Sequence, residues 1–571
     1  MANEFDATTA TPLPKTCGAG SLRKEKELYI MNISGSYTEM GEQMGTLARG
    51  ILDDYVISYY RNIPELLIEH SVINNISRVL PPRIANLIYS LFVRLNQAAL
   101  GDELKGFMKG YCEALGVSYK KGIDAMFFAD ILHYMAGKAF TPMAMPGCSG
   151  FFARGAATKD GKMLLGRNFD FFGRGVWNTN QTLTIMRPAG GYAYMWVGTL
   201  GIPFGGFGIN EAGISFCPFT NFNRDLLLKG RPLFPMCMEI METASNLDEV
   251  VEIIGKEPRI AGLSFLVSDN RACDSRVVGF SANHMEILRP EEDYLIRTNH
   301  YRTDAMRSFE VAPRGWHRHS YARYIELDRL IKENYGNITP SHAVSFMSSV
   351  NDPFEDRKRI VGDLVAATNN CMSIVMSPED DALYIAHGDF PVCHADTFYG
   401  YSLKALFAGE ESASIGDLPG GRQLDENERK ALNYYEDAEM ALNEHGDPAM
   451  AVYYLRRGAE LVPDEPVFHR MAGLILLKMG RYADARSHLE IDAAPDYKDQ
   501  RVKAQSLLWA ARANDLCGDR GRALDYYRKA MLYDDLEIKP AAIRGSNKPY
   551  SKFDILNLSA EFTTGGPIIK Y

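Results

Sequence analysis

At Gly147 the apolar pattern of this chain changes period, and that change constrains the fold more than any other feature. Between residues 38 and 139 apolar side chains recur at three- and four-residue spacing, with Pro81-Pro82 as a break, which predicts helices. Residues 142–147 (PMAMPG) continue neither a helix nor a central strand. Beyond them the apolar runs are short or alternating and are separated by turn signals such as Lys159-Asp160-Gly161. Runs 149–157, 162–167, 181–187, 192–198, 206–210 and 213–217 predict consecutive antiparallel strands. Helical runs at 233–244 and 247–256, strands at 263–268, 275–282 and 285–288, helices at 320–334 and 340–348, and a hairpin from 372–376 to 382–386 follow. Strands in blocks, then helices, then strands predict an α+β layered domain rather than a Rossmann alternation.

The rest of the chain divides by composition. Residues 1–24 read as a tail and 25–147 as a mostly helical amino-terminal segment, with one strand at 27–32. Residues 148–405 carry the layered domain, and 406–424, rich in small, acidic and turn residues, read as a linker. In 425–540 a repeat emerges. Gly446, Gly480 and Gly518 each have alanine five positions later (Ala451, Ala485, Ala523) and a large side chain nine positions later (Leu455, Leu489, Tyr527). A period near 34 residues with small residues where helices cross predicts an all-α, tetratricopeptide-like domain, degenerate at Asp492, where a small residue is usual. Residues 541–571 form a carboxy-terminal extension without a pattern.

Composition removes several function classes. Charged residues at 23% and hydrophobic ones at 46% exclude global disorder. A net charge of −10 disfavours nucleic acid as a partner. The nine cysteines form no CxxC or CxxH pair, so neither a disulfide framework nor a structural metal is expected; His317-Arg318-His319 also lacks metal-ligand spacing. With no basic start followed by an apolar run, the expected location is a reducing cytoplasm. The most apolar run, 84–93 (IANLIYSLFV), is too short to span a bilayer and is read as a buried helix rather than a surface anchor. The glycine-rich 201–208 precedes a strand, whereas a phosphate cradle opens a helix, so nucleotide binding is rejected.

The chemistry centres on Gly147-Cys148-Ser149. A lone cysteine is more often a buried small hydrophobe than a nucleophile, but a thiolate is favoured by a neighbouring cation or base. Arg167 and Asp170 lie 19 and 22 positions later, the distance at which a hairpin returns to its start. This GCS, hairpin, GRNFDFF arrangement resembles the N-terminal-nucleophile (Ntn) hydrolases. The likeness is to the isopenicillin-N acyltransferase-like branch and its relatives, the choloylglycine hydrolases. Residues 35–45 (GSYTEMGEQMG), 210–214 (NEAGI), 297–301 (RTNHY), 320–324 (SYARY) and the closing hairpin 371–388 extend the resemblance in order.

The resemblance implies a four-layer αββα sandwich that cleaves itself between Gly147 and Cys148, after which the new α-amine of Cys148 is the base for its own thiol. It further implies that Asp170 holds that amine, that Arg167 stands beside the sulfur, and that Asn299 donates to the oxyanion. Arg323 would stabilise the charge network, Asn221 is the candidate second oxyanion donor, and His300 and Phe172 are pocket residues. No metal or cofactor is implied; acyl-coenzyme A is a conceivable acyl donor. The substrate expected is a small acyl amide or acyl thioester, with hydrolysis and acyl transfer both open. A lipid N-acyl amidase of choloylglycine-hydrolase type, and an inactive scaffold binding partners or itself through the helical repeats, stand as alternatives. So do structural readings: an Arg167–Asp170 ion pair, Asn299 as a turn cap, and Arg323 as a helix-surface charge.

Overall fold

The computed structural model describes residues 13–51, 82–138, 147–171, 177–311, 314–443, 445–563 and 565–568. The chain divides into two compact units, residues 1–348 with 369–422, and residues 349–368 with 423–571.

The first unit is built on two sheets. The larger has ten strands, formed by β1 (Lys15–Cys17), β2 (Gly20–Glu25), β3 (Leu28–Gly35), β6 (Gln181–Pro188), β7 (Tyr194–Thr199), β8 (Gly205–Asn210), β9 (Ile214–Thr220), β10 (Leu263–Asp269), β11 (Asp274–Phe280) and β12 (Met285–Leu288), side by side in that order. The smaller has seven. Its order is β13 (Tyr294–Arg297), β4 (Gly147–Ala153), β5 (Leu164–Asp170), then Asn370–Ser377, Ala382–Ala386, Thr397–Ser402 and Leu418–Pro419. All pairs in these sheets are antiparallel except β3 with β6, where chain from before Gly147 joins chain from after it over seven residue pairs. Phe152, Leu165 and Ile374 of the small sheet interleave with Leu183, Val197, Phe207 and Phe219 of the large one, all fully buried, which is the inter-sheet core.

Alternation along each strand decides which layer a side chain enters. On β9, Cys217 and Phe219 face the inter-sheet core, while Phe216, Pro218 and Thr220 line a cavity that helices Phe128–Lys138 and Leu233–Thr243 also line. Helices Arg314–Glu333 and Pro340–Met347 pack on the small sheet. The order of layers is helix, sheet, sheet, helix.

Three sequence expectations differ from the structure. Residues 15–25, expected largely as tail, form β1 and β2; their short, charged runs (KTC, GSLRKE) carry little apolar signal because they lie at and next to the sheet edge. Residues 406–424, expected as linker, include the end of helix Leu403–Ala408 and the edge strand Leu418–Pro419, hydrogen-bonded to Thr397–Ser402. The run 84–93 lies in helix Pro82–Asn96, but only one face is buried: Tyr89, Phe92 and Val93 are covered, while Leu87, Ile88, Leu91 and Leu95 are exposed.

The second unit is largely helical, from Glu426–Asn443 through Pro448–Leu461, Val467–Lys478, Tyr482–Ala493, Gln500–Leu516, Arg520–Ala530 and Ile538–Asn547, each packed against the next. Gly446, Gly480 and Gly518 turn the chain with positive φ, and Ala451, Ala485, Ala523, Leu455, Leu489 and Tyr527 are fully buried where the helices meet. The irregular Asp492 is buried against Arg470 at 3.0 Å and accepts from the Tyr497 hydroxyl at 2.9 Å, so a charge pair replaces the usual small contact.

Candidate active site

Register in the β4–β5 hairpin brings the sequence candidates together. Gly147 pairs with Asp170, Cys148 with Phe169, and Gly150 with Arg167. Arg167 is fully buried, and its Nη2 donates to Cys148 Sγ at 3.1 Å. The same guanidinium donates to the carbonyls of Pro218, Gly206 (3.3 Å) and Asn168 (2.9 Å), and its face lies 4.2 Å from the Phe219 ring centroid. Every contact fixes the cation in place. Arg167 thus sets a fixed positive charge against the sulfur, where it opposes the charge that a thiol nucleophile develops.

Asn299 and Arg323 clamp the backbone of the same cysteine. Cys148 N–H donates to Asn299 Oδ1 at 2.7 Å, and Asn299 Nδ2 donates to the Thr220 carbonyl at 2.9 Å. Arg323 Nη2 donates to Asn299 Oδ1 at 2.7 Å, while Nη1 donates to the Cys148 carbonyl and, at 3.0 Å, to Ser149 Oγ. Asn299 and Arg323 are fully buried, so Arg323 is not a helix-surface charge.

Asp170 is buried beside the bond that the resemblance marks for scission. Its Oδ1 accepts from Asn370 Nδ2 at 2.8 Å. Oδ2 is buried without a hydrogen-bond partner among the described residues, and a Cβ on Gly147 would come within 2.9 Å of it. Burial raises this carboxyl above its ordinary range; the Arg323 cation, the Asn370 N–H and the Arg167 cation pull the other way. A bare carboxylate oxygen facing the backbone at 147–148 is the acceptor that a nascent ammonium on Cys148 requires.

Asn221, Thr220's neighbour, has its Oδ1 held by Arg297 Nη2 at 3.0 Å and its Nδ2 buried without a partner among the described residues. No direct contact joins it to Cys148. His300 is buried with Nδ1 2.9 Å from Ser320 Oγ, and burial holds its pKa well below the ordinary imidazole range. Phe172 lies outside the described residues. Two other cysteines flank the nucleophile candidate: burial pushes Cys217 up to about 12 and Cys371 well up, so both stay protonated thiols.

Some parts of the site escaped the sequence reading. Asn370 holds Asp170 from the strand on its other side, across a bulge between Asn370 and Met372. Ser320 Oγ accepts the Asn299 backbone N–H at 2.8 Å. A cavity is walled by Phe169, Phe171, Trp177, Trp196, Phe204 and Phe234 and bordered by Pro218, whose carbonyl also accepts from Arg167. One signal was visible. Glycines 206 and 208 alternate on β8 where aromatic side chains come close; Cβ atoms there would stand 3.1 Å from Phe169 and 2.4 Å from Trp196.

Comparison with known proteins gives one family and a set of structures. Residues 156–390 match the family model for acyl-coenzyme A:6-aminopenicillanic acid acyl-transferase, a stretch that contains Arg167, Asp170, Asn221, Asn299 and Arg323 and begins just after Cys148. A C2A mutant of conjugated bile acid hydrolase from Clostridium perfringens aligns at 15% identity over 49% of this chain and 99% of its own, with a TM-score of 0.30. The Caenorhabditis elegans ortholog of N-acylethanolamine-hydrolyzing acid amidase aligns at 13% identity over 40% of this chain and 93% of its own, with a TM-score of 0.28. No curated protein matches the sequence.

Proposed function

Taking residues 156–390 as a member of the acyl-coenzyme A:6-aminopenicillanic acid acyl-transferase family, we propose that this protein is a self-processing cysteine amidohydrolase or acyltransferase acting through a Cys148 thioester. The observation that carries the reading is the Cys148 sulfur 3.1 Å from the buried Arg167 cation, with an Asp170 oxygen that has no hydrogen-bond partner among the described residues beside the preceding residue.

Maturation begins when Cys148 Sγ attacks the Gly147 carbonyl carbon. The C–N bond breaks, the thiol proton passes to nitrogen, and water hydrolyses the resulting thioester to a Gly147 carboxylate and a free thiol. The products are residues 1–147 and 148–571. The new α-amine has an ordinary pKa of about 7.7–8.0, so near neutrality a useful fraction is unprotonated. It takes the thiol proton, and the thiolate attacks an acyl carbonyl. Asn299 Nδ2 has two hydrogens; one is spent on Thr220, and the second is available to the oxyanion, with Asn221 Nδ2 as the other candidate donor. Collapse of the tetrahedral species returns the proton from the ammonium to the leaving amine. Water or an acceptor amine then releases the acyl group, giving hydrolysis or transfer. Arg323 keeps Cys148 and Asn299 in register throughout.

The cavity walls favour an apolar acyl group, and acyl-coenzyme A is the donor we assign to the transfer route. The reducing cytosol is the compartment we assign, and the helical unit, as a tetratricopeptide-like surface, is assigned to partner binding or self-association. Intact mass spectrometry tests the core claim. Active protein should show two chains split after Gly147 and, with acyl amides or thioesters, an acyl adduct on the larger one. Cys148→Ala should abolish both; turnover by an uncleaved chain overturns the reading.

A further inference from the structure

His133 puts an imidazole into the wall of the largely apolar chamber, whose other polar groups are Thr220 and the indoles of Trp177 and Trp196. It lies on helix Phe128–Lys138, lines the cavity with Phe128, Ala129 and Leu132, and is 4% exposed. Its Nδ1 stands 2.6 Å from the Ala129 carbonyl oxygen, which only accepts, so Nδ1 carries the hydrogen. Burial lowers its pKa to about 4, and the ring is neutral across the working range. Nε2 is therefore a bare lone pair, and it has no protein partner among the described residues.

The ring's position within the chamber follows from its neighbours. It lies 5.5 Å from the Phe222 ring, two residues beyond Thr220, whose carbonyl receives Asn299. One turn further along the helix, a Cβ on Gly137 would stand 2.2 Å from the Asn223 carbonyl, so the helix is pressed onto this segment. His133 thus borders the end of the chamber beside Thr220, whose carbonyl holds Asn299. The opposite end is Trp196 against Phe216, roughly 13 Å along β9 from Thr220.

We propose that His133 is a specificity residue, selecting acyl groups that carry a hydrogen-bond donor, a hydroxyl or N–H, near their carbonyl end. This rests on the acyl-transfer reading of the site. A plain alkyl or aryl chain would leave the buried Nε2 without a partner, whereas a hydroxyl would satisfy it. An ether oxygen at the same place would set two lone pairs against each other. Sites built around a hydrogen bond reject analogues that lack it far more strongly than apolar pockets reject a change of size.

The test uses free acids, which need neither scission nor thioester formation. Binding of 4-phenylbutanoate is compared by calorimetry with its 2- and 3-hydroxy and 2- and 3-methoxy derivatives, on the full-length protein. One hydroxy isomer should bind at least tenfold more tightly than the unsubstituted acid and than its methoxy counterpart. That advantage should vanish in His133→Phe and persist in part in His133→Gln, which keeps an acceptor. Equal affinities, no binding by any acid, or an undiminished advantage in His133→Phe overturn the proposal. Should His133→Phe fail to fold, the hydroxy-against-methoxy comparison in the unaltered protein decides. Intact mass of the same batches reads cleavage and acylation separately, so a failed catalytic reading is told apart from a failed specificity.

Discussion

Ser320 is the residue whose removal most cleanly separates holding from reacting. Its hydroxyl accepts the Asn299 backbone N–H at 2.8 Å and sits 2.9 Å from His300 Nδ1, and among the described residues it makes no hydrogen bond to Cys148. Ser320→Ala should lower kcat about tenfold through misplacement of Asn299 while leaving KM within twofold, and Ser320→Thr should recover most of the loss; steady-state kinetics on both variants checks this. Arg167→Gln should slow acylation by at least a hundredfold, read as the rate at which the acyl adduct appears in intact mass spectra. Placement at this scale was readable in advance: a hairpin whose partners sum to a constant brings residue 167 opposite 150 and residue 170 opposite 147. Asn370 was not, because its approach to Asp170 depends on pairing between strands two hundred residues apart, which no local pattern encodes.

Among the elements, helix Tyr37–Ala48 and helix Gly101–Leu115 approach closely because glycines face each other at the crossing. A Cβ on Gly41 would stand 2.0 Å from the Phe107 carbonyl oxygen, and one on Gly110 2.3 Å from that of Thr38. Gly41→Ala and Gly110→Ala should each destabilise the first unit by on the order of 2–4 kcal/mol despite the gain in helix propensity, measured by denaturant unfolding. The glycines of 35–45 entered the sequence reading only as part of a family likeness; their physical reason is this crossing. Most strands were legible from alternation between turns, since each has one face in the inter-sheet core. Where both faces were weakly apolar, as in β1 and β2, the pattern was silent. The exposed row Leu87, Ile88, Leu91 and Leu95 misled in the other direction, because hydrophobicity alone does not say which side of a helix is covered.

For the molecule as a whole, two buried titratable groups on the helix Phe128–Lys138 pull stability in opposite directions. Burial raises Asp130 to about 7 from an ordinary 3.8, so its contribution is full below pH 3.8 and is lost as pH rises through 7. His133, lowered to about 4, contributes fully above pH 6.5 and loses that contribution as pH falls through 4. Asp130→Asn should therefore gain stability relative to the parent progressively between pH 4 and 7, by about 4 kcal/mol, then hold level; urea unfolding across that range checks it. In the helical unit, Asp492→Ala leaves Arg470 buried without its charge partner and should cost about 3–5 kcal/mol, read by the same method.

The seam between β3 and β6 has a consequence for how such a protein would age. Three strands from ahead of Gly147 are stitched into a ten-strand sheet with those that follow it, so severing the backbone there cuts a covalent thread without unpicking the cloth. The two pieces should travel as one particle through size exclusion and come apart only in denaturant. Once denatured, they would have to find each other as separate molecules, so refolding yield should depend on dilution for the severed form and not for the intact one. Maturation would then run one way, recorded in the chain yet invisible in its outline.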